Sequence, residues 1–589
     1  MILGRKNAFI VWLSVAVIAV VVLIADYPAL KFNFYADDYS FVETAGRSSL
    51  PQYLSFYFDP RAQTGWYRPM QGMLFGVEYV LFGVNPIGYH FVNLLVHLAN
   101  CLLLFAIVRR VAKRWRVAFV AVLIYAALPL YSVSVFWPGD ADFILTFFYL
   151  AALLGWIRFL QEGKRAFYIA AFVSFLLALL TKEFGVTLPV ILFLADRLLI
   201  HQSISRRMLV RCYIPFLAVW IFYLPLELYI QSRSVLTQLY GYGLGSHTFS
   251  NLFQYLAWLA FPWGLPEPIN YIWLGIAAFL ALYFLVAKKI VWLAFLGVAA
   301  VLTFLPVINF PWFFTRYLYL SVMACAVMLG ILIDWVWTQR KRFFIAFSVG
   351  IALVVAVNSF GTTNAANDFA EIGRQTRVAF RDISQRHATF PDDTLLYFID
   401  PPQPQSQYSG MFFVRYGPGV HVSSTEATQQ RADLRLHQSA YVIYFDAEKR
   451  TREIQWDTVS AIDNRIPYDV NLPMRLMGYE IPSTVAKRND ALVVILYWQA
   501  PQRIDKDYQV VLQLSDRTQT RVFAETKQAP SNPTTAWKPG DWVVDAHVLP
   551  VPNDMPLASG FVLQMYLVDS ATGQRASQNI EFTRVSVLE

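Results

Sequence analysis

Uninterrupted apolar runs, each near the length of a membrane-crossing helix, constrain this chain more than any other feature. A helix of about 20 apolar residues crosses the hydrocarbon core of a bilayer. Such runs fall at about 8–25, 89–108, 117–136, 143–160, 166–181, 184–200, 212–230, 269–287, 290–307, 317–337 and 343–361. Only 15% of the 589 residues are charged, whereas a soluble domain carries about a quarter. The first run follows Arg5 and Lys6 and shows no small-residue cleavage site before Asp26, so it reads as a retained anchor. The fold class expected is a polytopic α-helical membrane protein of about eleven transmembrane helices.

Lys and Arg in short loops set orientation. The loop Arg109–Arg116 carries five basic residues, and others lie at Arg158 to Arg165, Arg206 to Arg211, Lys288–Lys289 and Arg340–Arg342. With the N-terminus cytoplasmic, all of these fall on the cytoplasmic face. Because they sit between apolar runs, the net charge of +8 reads as topogenic and not as a nucleic-acid footprint. The stretch 249–265 is apolar as well, but counting it as a span would invert everything after it. It is therefore expected as an interfacial helix, leaving the C-terminus extracytoplasmic. No usable Asn-x-Ser/Thr site lies outside the membrane, since Pro533 spoils Asn532, which favours a prokaryotic plasma (inner) membrane.

Three regions follow: a membrane domain over 1–367, a small mixed α/β connecting region over 368–469, and a β-sandwich over 470–589. The membrane domain contains one long external loop, 26–88, whose Trp and Tyr content argues for order. The last region repeats strand-like runs (ALVVILYW, YQVVLQL, DWVVDAHVL, GFVLQMYLV) between turn-rich breaks. Its Trp498 and Trp537 are either core aromatics or carbohydrate contacts. The cysteines, Cys101, Cys212 and Cys325, all lie outside it, so no disulfide holds it; no Cys/His spacing suggests a structural metal site.

Ionisable residues near the bilayer are functional candidates because burial there is costly. The outer face collects Asp37-Asp38 in FYADDYSF, Arg68 in GWYRPM, and His90, Asn93 and His97 in YHFVNLLVHLAN. Asp140 and Asp142 in WPGDAD, Lys182-Glu183 in LLTKEFGVTLP, and Arg316-Tyr317 in FFTRYLYL complete it. Each alone has a structural reading. An Asp pair caps or turns the chain, and residues at i, i+3 and i+7 glue one helix to another. Their convergence on one face, assigned from unrelated residues, points to a site.

The ordered set ADDYSF, WYRPM, GYHFVNLLVHLANCLLL, GDADFI, TKEFGVTLPVILFLADRL and TRYLYL resembles the GT-C superfamily of integral membrane glycosyltransferases. It is most similar to the protein O-mannosyltransferase branch, including relatives with tetratricopeptide repeats, over most of residues 1–360. No such repeat follows the last run here. The tail, through LMGYEIP, YWQA, Pro533–Gly540 and Val568 to Arg575, resembles β-sandwich modules attached to some bacterial membrane glycosyltransferases. The resemblance implies a polyprenyl-phosphate-linked sugar donor and a hexosyl or pentosyl transfer, with inversion, to an acceptor on the outer face. The acceptor is a protein hydroxyl, a glycolipid or a polysaccharide. A soluble nucleotide-sugar donor would call for a strand–Gly-rich-loop–helix pattern, which is missing.

The roles expected are Asp37 or Asp38 as general base, and Arg68, Lys182 and Arg316 as cations for the departing phosphate. The resemblance favours the first Asp; the spacing leaves the choice open. Glu183, Asp142, His90 and Tyr317 are expected to bind or orient substrate. No metal is expected as a requirement, although Asp38 and Glu183 are the ligands if a divalent cation serves as cofactor. The competing reading is a lipid-linked-sugar flippase or transporter, against which no internal repeat or paired broken helices are found.

Overall fold

The computed structural model describes residues 5–588 apart from 64, 201–205, 235–236, 238–241, 264, 267, 289–290, 340–343, 399–400, 425–436, 446–449, 457–467, 482, 531–532 and 541. Lys289, Arg340 to Arg342 and Asn532 therefore lie outside the described residues. The chain divides into two compact units, Met1–Arg374 and Gln375–Glu589.

The first unit is a multi-span membrane region. Six helices are long and apolar enough to cross a bilayer: Phe9–Lys31, Pro86–Ala112, Asp142–Glu162, Val210–Ser232, Ser321–Thr338 and Ser348–Thr376. A pair bent by 49°, Trp115–Ala126 with Pro129–Phe136, makes up to seven. Among the described residues these are fewer than the eleven expected. Of the other runs, Ile269–Lys288 is a 20-residue helix, while Arg165–Leu179 and Val291–Phe304 are shorter, at 15 and 14 residues. The run at 184–200 splits into a 3₁₀ turn Glu183–Thr187, a helix Leu188–Ala195 and a π turn Asp196–Ile200. Hydropathy sums side chains and does not register such changes of backbone winding. The stretch expected as interfacial is a 15-residue helix, Ser246–Ala260.

The long loop 26–88 is helical over much of its length. After a 3₁₀ turn, Tyr27–Lys31, come helices Asp38–Arg47, Leu50–Phe58 and Pro69–Phe82. Ser49 caps the second of these, its N–H donating to Gln52 Oε1 at 3.0 Å. Pro69 opens the third at a position where its missing N–H costs nothing, and Gly83 ends it at φ +57°. Tyr53 Oη–H donates to the Gly72 carbonyl at 2.6 Å, tying the second helix to the third.

The second unit is β-rich. Its first sheet has the spatial order Val420–Ser424, Thr394–Phe398, Ser439–Phe445, Thr451–Trp456. The first three strands are parallel and the last antiparallel. Helix Gln405–Tyr416 makes the crossover that a parallel pair requires, stacking Tyr408 on Phe398 with ring centroids 4.6 Å apart. Two further sheets, of five and four strands, share one apolar cluster that includes Leu496, Trp498, Leu512, Leu563 and Met565. Trp498 and Trp537 are both buried in it, so neither presents a face for carbohydrate. The run ALVVILYW is apolar at consecutive positions because both faces of its strand are covered. Val494, Leu496 and Trp498 face the shared cluster, while Ile495 and Tyr497 pack on Leu395 and Tyr397 of the first sheet.

Candidate functional site

Five stretches of the membrane unit converge on one cavity of about 580 Å³. Its walls include Asp37, Arg68, Asp140, Lys182, Arg316 and Tyr317, with Trp66, Trp137 and Trp312 among the aromatic lining. Asp37 sits at the start of helix Asp38–Arg47, behind Ala36 at φ +47°, a left-handed conformation that costs a non-glycine residue about 1 kcal/mol. Arg68 immediately precedes helix Pro69–Phe82. Lys182 lies in extended backbone between Leu180 and the 3₁₀ turn, and Met70 N–H donates to the Leu180 carbonyl at 3.0 Å. That bond holds the Arg68 and Lys182 segments side by side.

The two aspartates of the pair part company. Asp37 lines the cavity, whereas Asp38 is fully buried and accepts from Tyr35 N–H at 2.8 Å. A Cβ at Gly139 would come within 2.7 Å of both Asp38 Oδ1 and Trp137 Nε1, so only glycine lets the 137–140 turn close over this carboxylate. Burial raises the pKa of Asp37, and Arg316 and Arg68 oppose the rise. Burial lifts Asp38 well above the usual carboxylate range.

Each cation is matched by a carboxylate. Arg68 Nη2 donates to both oxygens of Glu183 at 3.1 and 2.9 Å. Lys182, 2% exposed, donates to Asp142 Oδ1 at 2.8 Å and lies 3.7 Å from Asp140 Oδ1. Arg316 Nε stands 3.9 Å from Asp140 Oδ2, beyond hydrogen-bonding distance, with its guanidinium over the rings of Trp137, Phe314 and Tyr317. Of the three, Arg316 is held least tightly. Asp140 is fixed by Ser134 Oγ–H at 2.8 Å; burial works against its ionisation, yet Lys182 and Arg316 hold its pKa below the ordinary value.

Asp142 and Glu183 stand behind the cavity wall as partners of its cations, and Tyr317 stands on the wall. His90 does not reach it; it is buried within helix Pro86–Ala112, edge-on to Phe32 at 6.1 Å. Further along the same helix Asn93 Nδ2 donates to the Val135 carbonyl, and His97 Nδ1 lies 2.7 Å from Tyr319 Oη. Asp38 and Glu183 do not share a cluster of metal-ligating atoms with a third group among the described residues. Asp140, the link between Lys182 and Arg316, had no assigned role from sequence beyond membership of WPGDAD. Gln71, which donates to the Gly139 carbonyl at 2.5 Å, had none at all.

Residues 68–228 match the family model described as Dolichyl-phosphate-mannose-protein mannosyltransferase. That match bears out the resemblance to the mannosyltransferase branch. It begins at Arg68 and takes in Asp140, Asp142, Lys182 and Glu183, while Asp37, Asp38 and Arg316 lie outside it. Protein O-mannosyl-transferase Tmtc3 of Drosophila melanogaster is 28% identical over 164 residues, covering 23% of this chain and 18% of that protein. Human Protein O-mannosyl-transferase TMTC1 is 32% identical over 133 residues, covering 20% and 15%. The chain thus spans less than a fifth of the length of these relatives. Among solved structures, ArnT from Cupriavidus metallidurans bound to undecaprenyl phosphate aligns over 74% of this chain and 93% of its own, at 15% identity and a TM-score of 0.48.

Proposed function

We propose that this chain is an inverting glycosyltransferase of GT-C type, with about eleven spans and an extracytoplasmic β-sandwich, which takes its sugar from a polyprenyl-phosphate donor. The observation that carries the reading is a single cavity lined by two carboxylates and three basic side chains, Arg68, Lys182 and Arg316; of the carboxylates, Asp140 is held by Ser134 and Lys182, which leaves Asp37 for proton transfer. Asp37 accepts the proton of the acceptor hydroxyl as that oxygen attacks the anomeric carbon. The bond from that carbon to the phosphate oxygen breaks, leaving polyprenyl phosphate. Charge growing on the phosphate is met by Arg316 and Arg68, whose guanidinia suit bidentate phosphate contact. Lys182 is almost wholly committed to Asp140 and Asp142, so its part is to hold the cavity wall and supply background positive potential. Asp38 positions Asp37 from beneath, and Glu183 and Asp142 orient Arg68 and Lys182.

The acceptor is a hydroxyl of a protein, glycolipid or polysaccharide. The family match over residues 68–228 favours a protein hydroxyl and mannose as the first pair to test. The purified chain in lipid nanodiscs, given radiolabelled polyprenyl-phosphate mannose and a Ser/Thr-rich acceptor peptide, should transfer label. Asp37→Asn should lower turnover by about 10²-fold or more. Full transfer by Asp37→Asn refutes the base assignment. Passage of intact lipid-linked sugar across the bilayer without its cleavage would instead favour a flippase.

A further inference from the structure

Asp393, His421 and His437 are 28 and 16 residues apart along the chain, and no local motif joins them. The parallel sheet does. Thr394 pairs with Val420 on one side and Ser439 on the other, so three strands begin along one sheet edge. Asp393 directly precedes the central strand, His421 is the second residue of its neighbour, and His437 stands two residues before the third. One donor atom from each lies within 4.8 Å of the other two, the one such cluster of three or more ligating groups among the described residues. His437 Nδ1 is 2.7 Å and His421 Nε2 3.7 Å from the same oxygen, Asp393 Oδ1. The two imidazole rings lie 5.2 Å apart.

An Asp–His hydrogen bond accounts for His437 and Asp393. The His421 imidazole stands near the same oxygen. Asp393 also adopts φ +58°, a left-handed conformation that Asp tolerates better than most residues, and its other oxygen accepts from Gln438 N–H at 3.3 Å. Such a bond to the far oxygen is how ligating carboxylates are commonly oriented. Tetrahedral zinc with N and O ligands at 2.0–2.1 Å spaces its donors by about 3.4 Å. The distances of 2.7 and 3.7 Å bracket that spacing, and no two donors are more than 4.8 Å apart. We propose that Asp393, His421 and His437 bind a divalent transition-metal ion of the zinc class, with the fourth position left to water, and that the ion ties together the starts of three parallel strands. Imidazole ligands suit zinc, copper, iron and nickel, and a half-buried site at a strand edge is open to metal from solution. The inference does not depend on the transferase reading, since these residues are not among those lining the cavity.

The test uses the full-length, tag-free chain in nanodiscs, stripped with chelator and titrated with Zn²⁺ alone, with bound metal counted by mass spectrometry after desalting. One Zn²⁺ per chain is expected. His421→Gln, His437→Gln and Asp393→Asn should each weaken binding by at least about tenfold. His387→Gln, which alters an imidazole paired with Glu453 at 2.7 Å outside the cluster, should not. Circular dichroism of each variant separates loss of a ligand from loss of fold. Co²⁺ in the unmutated chain gives a readout that needs no variant, because a four-coordinate set shows intense visible bands and a hydrated surface ion does not. Absence of a stoichiometric Zn²⁺, equal binding by the His421→Gln/His437→Gln double variant, or a Co²⁺ spectrum of the hydrated ion overturns the proposal.

Discussion

At Asp37 burial favours the protonated carboxyl, while Arg316 and Arg68 favour the ionised one that a general base needs. The sign of the pH dependence follows. With Asp37 as the proposed base, activity should be present above its pKa and be lost as pH falls through it, at a pH above the ordinary carboxylate value near 3.9. Arg316→Gln removes the larger of the two opposing charges, so the acid limb of the kcat/KM profile should move to higher pH; a limb that stays put, whatever its height, argues against Asp37 as the titrating base. Asp38 behaves differently because it is fully buried and lifted well above the carboxylate range. Asn keeps its shape and the bond from Tyr35 N–H, so Asp38→Asn should cost about tenfold or less in turnover, against about 10²-fold for Asp37→Asn. Equal losses in steady-state assays would mean that the second carboxylate also handles the proton. The pair was legible in the sequence as a pair. Which member reaches the cavity was not, because that depends on the turn at Ala36 and on Gly139, over 100 residues downstream.

The element that places Lys182 is an interrupted helix, and here the sequence is least informative. Apolar content continues almost unbroken from Phe167 to Ile200, yet the backbone leaves the helix after Leu179 and runs extended at Lys182. The interruption aims Lys182 and Glu183 at Asp142 and Arg68. Gly185 makes the tight return feasible: a Cβ there would lie 2.8 Å from Leu179 N and 2.9 Å from the Ala178 carbonyl carbon, both backbone atoms that cannot swing away. Gly185→Ala should therefore destabilise the chain by about 1–3 kcal/mol, the usual cost of overpacking. It should also weaken transfer by displacing Lys182. Gly275→Ala, where nothing lies within 4 Å, should do neither in a thermal unfolding series. In the second unit the strands were legible because alternation and turn residues are local signals. The convergence of Asp393, His421 and His437 was not, since only the pairing of parallel strands creates it.

Across the whole membrane unit one helix measures the separation between two charged regions. Helix Asp142–Glu162 begins at the partner of Lys182 and ends at Glu162. Glu162 pairs with Arg110 and Arg158, while Arg114 and Arg116 of the same basic loop reach Asp334 at 2.8 and 3.3 Å. Twenty steps of 1.5 Å make about 30 Å, the thickness of the hydrocarbon core. The cavity and the basic loops thus lie near opposite ends of a helix about as long as the hydrocarbon core is thick. If the basic loops are cytoplasmic, the cavity opens to the opposite side, where the proposed polyprenyl-phosphate donor would keep its tail in hydrocarbon and bring its phosphate to the guanidinia. Single cysteines in a chain freed of Cys101, Cys212 and Cys325 decide this in sealed right-side-out vesicles. Arg61→Cys, in the loop that walls the cavity, and Ser570→Cys, in the second unit, should react with a membrane-impermeant maleimide. Lys164→Cys, beside Glu162, should react only after detergent. Labelling of Lys164→Cys in intact vesicles would invert the topology and place the transfer on the cytoplasmic face. A soluble donor would then have to be reconsidered, because the requirement for a lipid carrier rests on the site lying where nucleotide sugars do not reach.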